Sequence, residues 1–279
     1  MTATVVPVTV SDIDAIAEYL VATGDSLRSP QQWKDALRWA SDSSPPNLGF
    51  QLRRDDGIVA GVFLATYGDT RDGHTVCHLG SWHVQEPYRL QSLLLFRALL
   101  AQDVDVFTDY SPFPQVRPIN RRFGFDDMDT RALSIWNLRP PALRRGVRII
   151  TDPERIAATL RGRDARVFRD HQGIPGIAQL VVVDGAKTSH IVHRASPGRL
   201  SRARLLHVSD IPVFRASLSR VLWHVLLRHR SLFTVAELRT IGGPVPWARA
   251  APSVPRQFKS AHVPESELDE LYSPLIWAR

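Results

Sequence analysis

Hydrophobic residues change rhythm from one segment of the chain to the next, and the rhythm predicts the elements. Thr2 to Thr9 is rich in Val and Thr and reads as a strand, because β-branched side chains suit a pleated, half-buried surface. Ser11-Asp12-Ile13-Asp14 resembles a capping box that opens a helix with Ile13, Ile16 and Leu20 on one face. A second helix is expected after Ser29-Pro30, with Trp33, Leu37 and Trp39 apolar, until Ser44-Pro45-Pro46 stops it. Phe50 to Arg53, the turn Asp55-Asp56-Gly57 and the apolar run Ile58 to Tyr67 then predict a hairpin. A third strand runs from about His74 to Val84, ended by Glu86-Pro87. The helix expected from Arg89 to about Gln102 carries Leu93, Phe96 and Leu100 at helical spacing, and Leu90, Leu94, Leu95 and Leu99 widen its apolar surface. Asp105 to Asp109 reads as a short central strand, and Arg131 to Leu138 as the last strand of this half.

The composition of Leu138-Arg139-Pro140-Pro141 and Arg144-Arg145-Gly146 is that of a linker, which predicts domains at 1–139 and 146–279. The order then repeats. Helical segments at Asp152 to Leu160 and Asp164 to His171 precede a hairpin of Ile177 to Val183 and Ser189 to Arg194, turned by Asp184-Gly185. Arg204 to Val208 is a strand. Ser209-Asp210 caps one helix with Pro212 in its first turn and Phe214, Leu218, Val221, Leu222, Val225 and Leu226 on its face. A strand from Leu232 to Ala236 follows. An offset of 126 residues lays Phe233-Thr234 on Phe107-Thr108, Arg215 on Arg89, Phe214 on Tyr88 and Leu226 on Leu100, so one register is expected to relate two duplicated halves.

At 279 residues the chain exceeds what one core usually serves, and 44% hydrophobic with 23% charged residues is a globular composition. No apolar run is long enough to span a bilayer, so no membrane partner is expected. Met1 to Thr9 lacks the pattern of an export signal, which makes the expected location cytoplasmic. Cys77 stands alone, excluding an intrachain disulfide and a cysteine-based zinc cluster, and it reads as a small buried strand residue. The net charge of +7 suits phosphate-bearing ligands. Nearly all of it is scattered Arg, with Lys34, Lys187 and Lys259 the only lysines, so nucleic acid is not the expected partner.

Two stretches carry a resemblance. Trp82-His83-Val84-Gln85-Glu86-Pro87-Tyr88-Arg89 and Asn120-Arg121-Arg122-Phe123-Gly124-Phe125 look like the strand-to-helix junction and the Gly-Phe end of a domain of the GNAT superfamily, the acyl-CoA-dependent N-acyltransferases. The similarity covers about Val5 to Leu138. It implies an α/β (α+β) fold of two GNAT-like domains, the second degenerate, each a mixed, mostly antiparallel sheet flanked by helices. It also implies acetyl-CoA or a longer acyl-CoA as co-substrate, its pyrophosphate at a helix N-terminus where backbone N–H groups are unpaired. Val84 and the loop Arg89-Leu90-Gln91-Ser92-Leu93-Leu94 would bind it, although Ser92 and Leu94 stand where the family has small residues. His83 and Glu86 are candidate general bases. Asn120 occupies the position of the family's Tyr acid, leaving a water or Tyr110 to supply the proton.

In the second half the matching loop is Arg215-Ala216-Ser217-Leu218-Ser219-Arg220, without glycine. Asp170-His171 and Asp269-Glu270 are further polar candidates. His190 and His193 share a strand at a spacing that suits chelation, but no third ligand follows at a suitable spacing and no metal is expected. Gly242-Gly243-Pro244-Val245-Pro246-Trp247 and Pro252 to Pro255 read either as a closing loop or as plain connection, and Leu271 to Trp277 as a returning strand. Two functions stay open: transfer of an acyl group from acyl-CoA to the amine of a small molecule or protein by direct attack, and a non-catalytic tandem GNAT-like binding or regulatory module. Acceptor, acyl chain length and oligomeric state are not legible.

Overall fold

In a computed structural model, residues 2–23, 28–42, 45–141, 146–195 and 202–277 are described. Ser44 of the expected helix stop and Arg144-Arg145 of the expected linker lie outside them. The first elements follow the polarity pattern: β1 (Thr4–Pro7), α1 (Ile13–Thr23), α2 (Pro30–Asp42), β2 (Gly49–Arg53), β3 (Val59–Asp69), β4 (Thr75–Val84), α3 (Ser92–Leu100), β5 (Val106–Asp109), α4 (Arg117–Arg122) and β6 (Asp126–Asp127). Next come β7 (Ala132–Trp136), β8 (Val147–Ile150), α5 (Pro153–Thr159), α6 (Gly162–Asp170), β9 (Ile177–Asp184), β10 (Lys187–Ala195), β11 (Arg202–Val208), α7 (Ile211–Ala216), α8 (Leu218–His229), β12 (Phe233–Glu237), α9 (Leu238–Ile241), β13 (Arg249–Ala251) and β14 (Gln257–Ser260). None of the described helices is long and apolar enough to cross a membrane.

The chain makes two units, each with a seven-stranded sheet. The first comprises Met1–Asp127, Arg256–Glu267 and Tyr272–Arg279, the second Met128–Pro255 and Leu268–Leu271. The boundaries at 139 and 146 are therefore corrected. β7, expected to finish the first half, pairs with β12 in the second sheet, and β14 takes the matching place beside β5 in the first. The strand orders are β1-β2-β3-β4-β5-β14-β6 and β8-β9-β10-β11-β12-β7-β13, the same topology with one strand exchanged. Local propensity cannot signal such an exchange, because either sheet offers β7 an antiparallel partner with the same pleat.

Helices cover both faces of each sheet, as the alternation along its central strands requires. On β3, Val62 and Leu64 pack under α1 and α2, while Phe63 and Ala65 pack under α3 with Leu95, Phe96 and Leu99. Complete burial of those three α3 side chains contributes about 1.5–3 kcal/mol each. On β9, Val181 and Val183 face α5 and α6, while Leu180 and Val182 face α7 and α8. Gly49 is obligatory: its φ is +109°, and a Cβ there would lie 2.2 Å from the Phe63 carbonyl oxygen.

Four expectations meet corrections. The helix from Arg89 begins as a 3-10 segment, Glu86–Gln91, and becomes α-helical only at Ser92. The helix after Asp210, whose carboxylate accepts from the Val213 N–H at 2.9 Å as expected of a cap, breaks at Ser217 into α7 and α8. Leu271 to Trp277 adds no strand, since Pro274 opens a 3-10 turn, Pro274–Trp277. The 126-residue register holds for β4 and β11 but not throughout the sheet. Cys77 pairs with Phe107, whereas Ala203, 126 residues on, pairs with Thr234, which lies 127 after Phe107.

Candidate active site

β4 and β5 run in parallel only from Val76 and Val106 to His78 and Thr108, where the His78 Nδ1 and Thr108 Oγ1 lie 2.7 Å apart. Beyond that pair a bulge bends β4: Phe63 pairs with Trp82 and Ala65 with Leu79, so β4 spends three residues where β3 spends two. β5 no longer partners β4 from Leu79 to Val84, and the two strands splay. The opening holds a cavity of about 370 Å³ whose walls include Trp33 and Leu37 of α2 and the stacked pair Phe63 and Trp82, with ring centroids 4.6 Å apart. Leu94, 44% exposed, is not part of its lining, so the bulky residue in the loop does not plug the splay.

Asp109, at the end of β5, is the cavity's carboxylate. Its Oδ1 accepts from the Ser111 N–H at 3.2 Å and its Oδ2 from the Asn120 amide at 3.0 Å. Burial pushes its carboxyl up to about 6, against the lowering effect of those two hydrogen bonds. A carboxylate with that affinity for protons is ionised at neutral pH yet basic enough to accept one. In the sequence Asp109 has only the look of a strand terminus; its signal is position, at the end of the shorter of two parallel strands.

The predicted site residues fall into three groups. His83 lines the cavity with Asp109 and Ser81. Glu86, Arg89 and Leu90 are exposed in the 3-10 segment, Leu90 98% so, away from the cavity lining. Gln91 and Ser92 are half-buried, the Gln91 Oε1 accepting from the Ala3 N–H at 3.2 Å; Val84 is half-buried in the α3 core, and Leu93 is 40% exposed. Asn120 and Tyr110 form the third group, buried and outside the lining. The Asn120 amide donates to Asp109 and, at 3.0 Å, to the Gln257 Oε1 on β14, which makes it a clamp. Tyr110 lies between His78, with ring centroids 5.6 Å apart, and the Arg256 guanidinium, 4.9 Å from its ring. Cys77 is fully buried, and burial pushes its thiol up to about 12, as an inert core residue requires.

The second unit has the same splay and the same bulge. β11 and β12 pair in parallel from Arg202 and Phe233 to Arg204 and Val235, and Leu206 is the extra residue on β11, 126 positions after Gly80. Here the ends are occupied. The Arg204 guanidinium reaches Glu237 at 3.3 Å and Glu270 at 2.9 Å, and Arg239 binds Glu237 at 2.7 Å. Arg215, the counterpart of Arg89, donates to the carbonyls of Ile241, Gly243 and Pro244 at 3.0–3.2 Å. His190 and His193 turn to opposite faces, three residues apart on one strand: His190 lies near Phe168 of α6, and His193 near His229 of α8.

No protein-family profile and no curated sequence matches the chain. Solved structures do match it. A GCN5-related N-acetyltransferase from Kribbella flavida superimposes with a TM-score of 0.58 at 13% identity, covering 91% of this chain and 70% of that one. A proposed acetyltransferase from Pyrococcus horikoshii gives a TM-score of 0.54 at 13% identity over 98% and 93% of the two chains. The chain carries the GNAT fold. It does so twice, in two mixed sheets flanked by helices. A third likeness, with a TM-score of 0.51 at 13% identity, is to the glucosamine N-acetyltransferase region of a fungal multi-domain β-N-acetylglucosaminidase, with 92% of this chain and 38% of that one covered. The GNAT splay of the first unit is open and contains an acceptor for protons, whereas the GNAT splay of the second is bridged by ion pairs.

Proposed function

We propose that the first unit transfers an acyl group from acyl-CoA to a primary amine held in the 370 Å³ cavity, with Asp109 as the base. The observation that carries this reading is a carboxylate, pushed up to about 6 by burial, at the open end of the parallel strand pair. Asp109 first pairs with the ammonium of the acceptor and takes its proton. The freed nitrogen forms a C–N bond at the thioester carbonyl, the C–S bond breaks, and the second proton that this nitrogen loses passes through water to the departing thiolate, since Asn120 has no proton to give. The edge of β4 beyond His78, which β5 does not pair, supplies backbone N–H groups for the developing oxyanion. His83 lines the same cavity and positions the acceptor. Aromatic walls at Trp33, Phe63 and Trp82 favour an amine with a largely apolar body. The fungal neighbour's glucosamine belongs to the amine class too.

On this reading Arg89 and the following loop take the pyrophosphate, and the exposed Leu90, Leu93 and Leu94 border it. The second unit is the non-catalytic partner of the pair: its Arg215 is committed to three carbonyls, a specific reason to assign it no acyl-CoA. Calorimetry with a chain-length series of acyl-CoA thioesters should show one site per chain, weakened about tenfold in Arg89→Ala. Asp109→Asn should lower kcat/KM by about 100- to 1,000-fold and abolish the limb of the pH profile that rises through about 6. Absence of binding across the whole series would sink the proposal.

A further inference from the structure

We propose that the second unit contains a binding site for a first-row divalent transition metal, with zinc as the reference ion, formed by Asp164 of α6, His190 of β10 and His207 of β11. Their ligand atoms all lie within 4.8 Å of one another. Tetrahedral coordination at zinc–ligand distances near 2.0–2.1 Å needs them about 3.3 Å apart, a contraction that side-chain rotation supplies.

The hydrogen bonds decide which nitrogens are available. The Gln179 amide donates its Nε2–H to the Phe168 carbonyl at 3.1 Å, which turns its Oε1 toward the His190 Nε2, 2.9 Å away. An amide oxygen only accepts, so the His190 proton is on Nε2 and its Nδ1 is a bare lone pair. On His207 the arrangement is reversed: Nδ1 donates to the Asp269 carboxylate at 3.1 Å, and Nε2 carries the lone pair. Both lone-pair nitrogens are buried without a hydrogen-bond partner, on residues 0% and 2% exposed. Two orphaned acceptors on rings whose centroids lie 6.2 Å apart, clustered with a carboxylate, are costly unless a bound group joins them, and a cation does so. Gln179 and Asp269 fix the tautomers from behind, as outer hydrogen-bond partners of metal-bound imidazoles do. Asp164 is half-buried, so the fourth position opens outward. Imidazole and carboxylate donors favour Zn²⁺ and its first-row neighbours over Mg²⁺ or Ca²⁺.

The location supports the assignment. His207 lies 126 residues after Ser81, at the same position relative to the strand bulge, and Ser81 lines the first unit's cavity. The place that is a cavity in one unit is a cluster of ligands in the other, where an ion would pin α6 to two strands. No third ligand follows His190 and His193 along the chain, because Asp164, His190 and His207 come from three separate elements.

Tag-free, full-length protein purified and then stripped with chelator provides the test. Wild type should take up one equivalent of Zn²⁺ by calorimetry, show visible d–d bands with Co²⁺, and melt at a higher temperature with Zn²⁺ than without. His190→Ala and His207→Ala should lose the cobalt bands and the thermal shift, and Asp269→Asn should bind about 10- to 100-fold more weakly. Asp164→Asn, at a half-exposed position that leaves the fold intact, should weaken Zn²⁺ binding at least tenfold and keeps the test decisive if a histidine variant does not fold. Wild type without zinc uptake, or uptake retained in His190→Ala, His207→Ala or Asp164→Asn, overturns the proposal; retained uptake would point to the trio His74, Asp105 and His262 of the first unit.

Discussion

The two units share strand order, the parallel pair and the bulge, but they treat the end of that pair in opposite ways. In the first, β4 and β5 part after His78 and Thr108 and leave a cavity with Asp109 at its edge. In the second, β11 and β12 part after Arg204 and Val235, and ion pairs among Arg204, Glu237, Arg239 and Glu270 bridge their ends. The splay is a consequence of topology and bulge, so both units inherit it. Whether it becomes a binding site depends on the side chains placed there, and those differ between the two units.

The contrast can be broken at several points. Glu237→Leu should cost the second unit about 3 kcal/mol in chemical denaturation, because it strips the carboxylate from a buried pair, while acyl-CoA binding by the first unit stays unchanged. Ser81→His, which imports the His207 side chain into the first splay, should reduce acyl transfer about 100-fold by displacing the acceptor, with little change in the melting temperature. Asn120→Ala should destabilise the first unit by about 2 kcal/mol through the loss of two buried hydrogen bonds. The same change removes an interaction that lowers the Asp109 pKa, so the pH–rate limb should move to higher pH.

Smaller effects separate the units by pH. Burial, with His229 and His224 nearby, pushes the His193 imidazole down to about 3, so it folds neutral and charges only on unfolding. The unfolded chain thus binds more protons below about 6.5, and stability falls with acidification through that range. His193→Leu should reduce the loss between pH 7 and pH 5 by about 2 kcal/mol, measured by urea denaturation at both values. Asp109 works in the other direction: its folded pKa is raised from 3.8 to about 6, so its ionisation costs stability as pH rises through that window. Asp109→Asn should therefore stabilise the first unit by about 1 kcal/mol at pH 7, after allowance for a lost hydrogen bond, even as it removes activity.

Much of this was legible in the polarity pattern. The period-two run through β3 and the apolar spacing of α3 identified both elements, since each must bury one face, and Asp210 announced its helix by its capping chemistry. The resemblance at Trp82 to Arg89 falls on the junction between β4 and the 3-10 segment, and His83, expected there as a general base, lines the cavity. It also put Asn120 at the position of the family's acid, where the fold has a buried clamp, and it passed over Asp109. Family position identifies a place on the backbone; the role of a side chain there depends on what surrounds it.

The amino-acid sequence by itself therefore determined the local elements, the repeated order and the core faces, because propensity, period and capping act over a few residues. Only the tertiary structure decided the exchange of β7 and β14, the one-residue difference in the β12 register, the burial that raises the Asp109 carboxyl, and the meeting of Asp164, His190 and His207. Each of these joins residues far apart in the chain, and their energies depend on burial and on partners that no local pattern specifies.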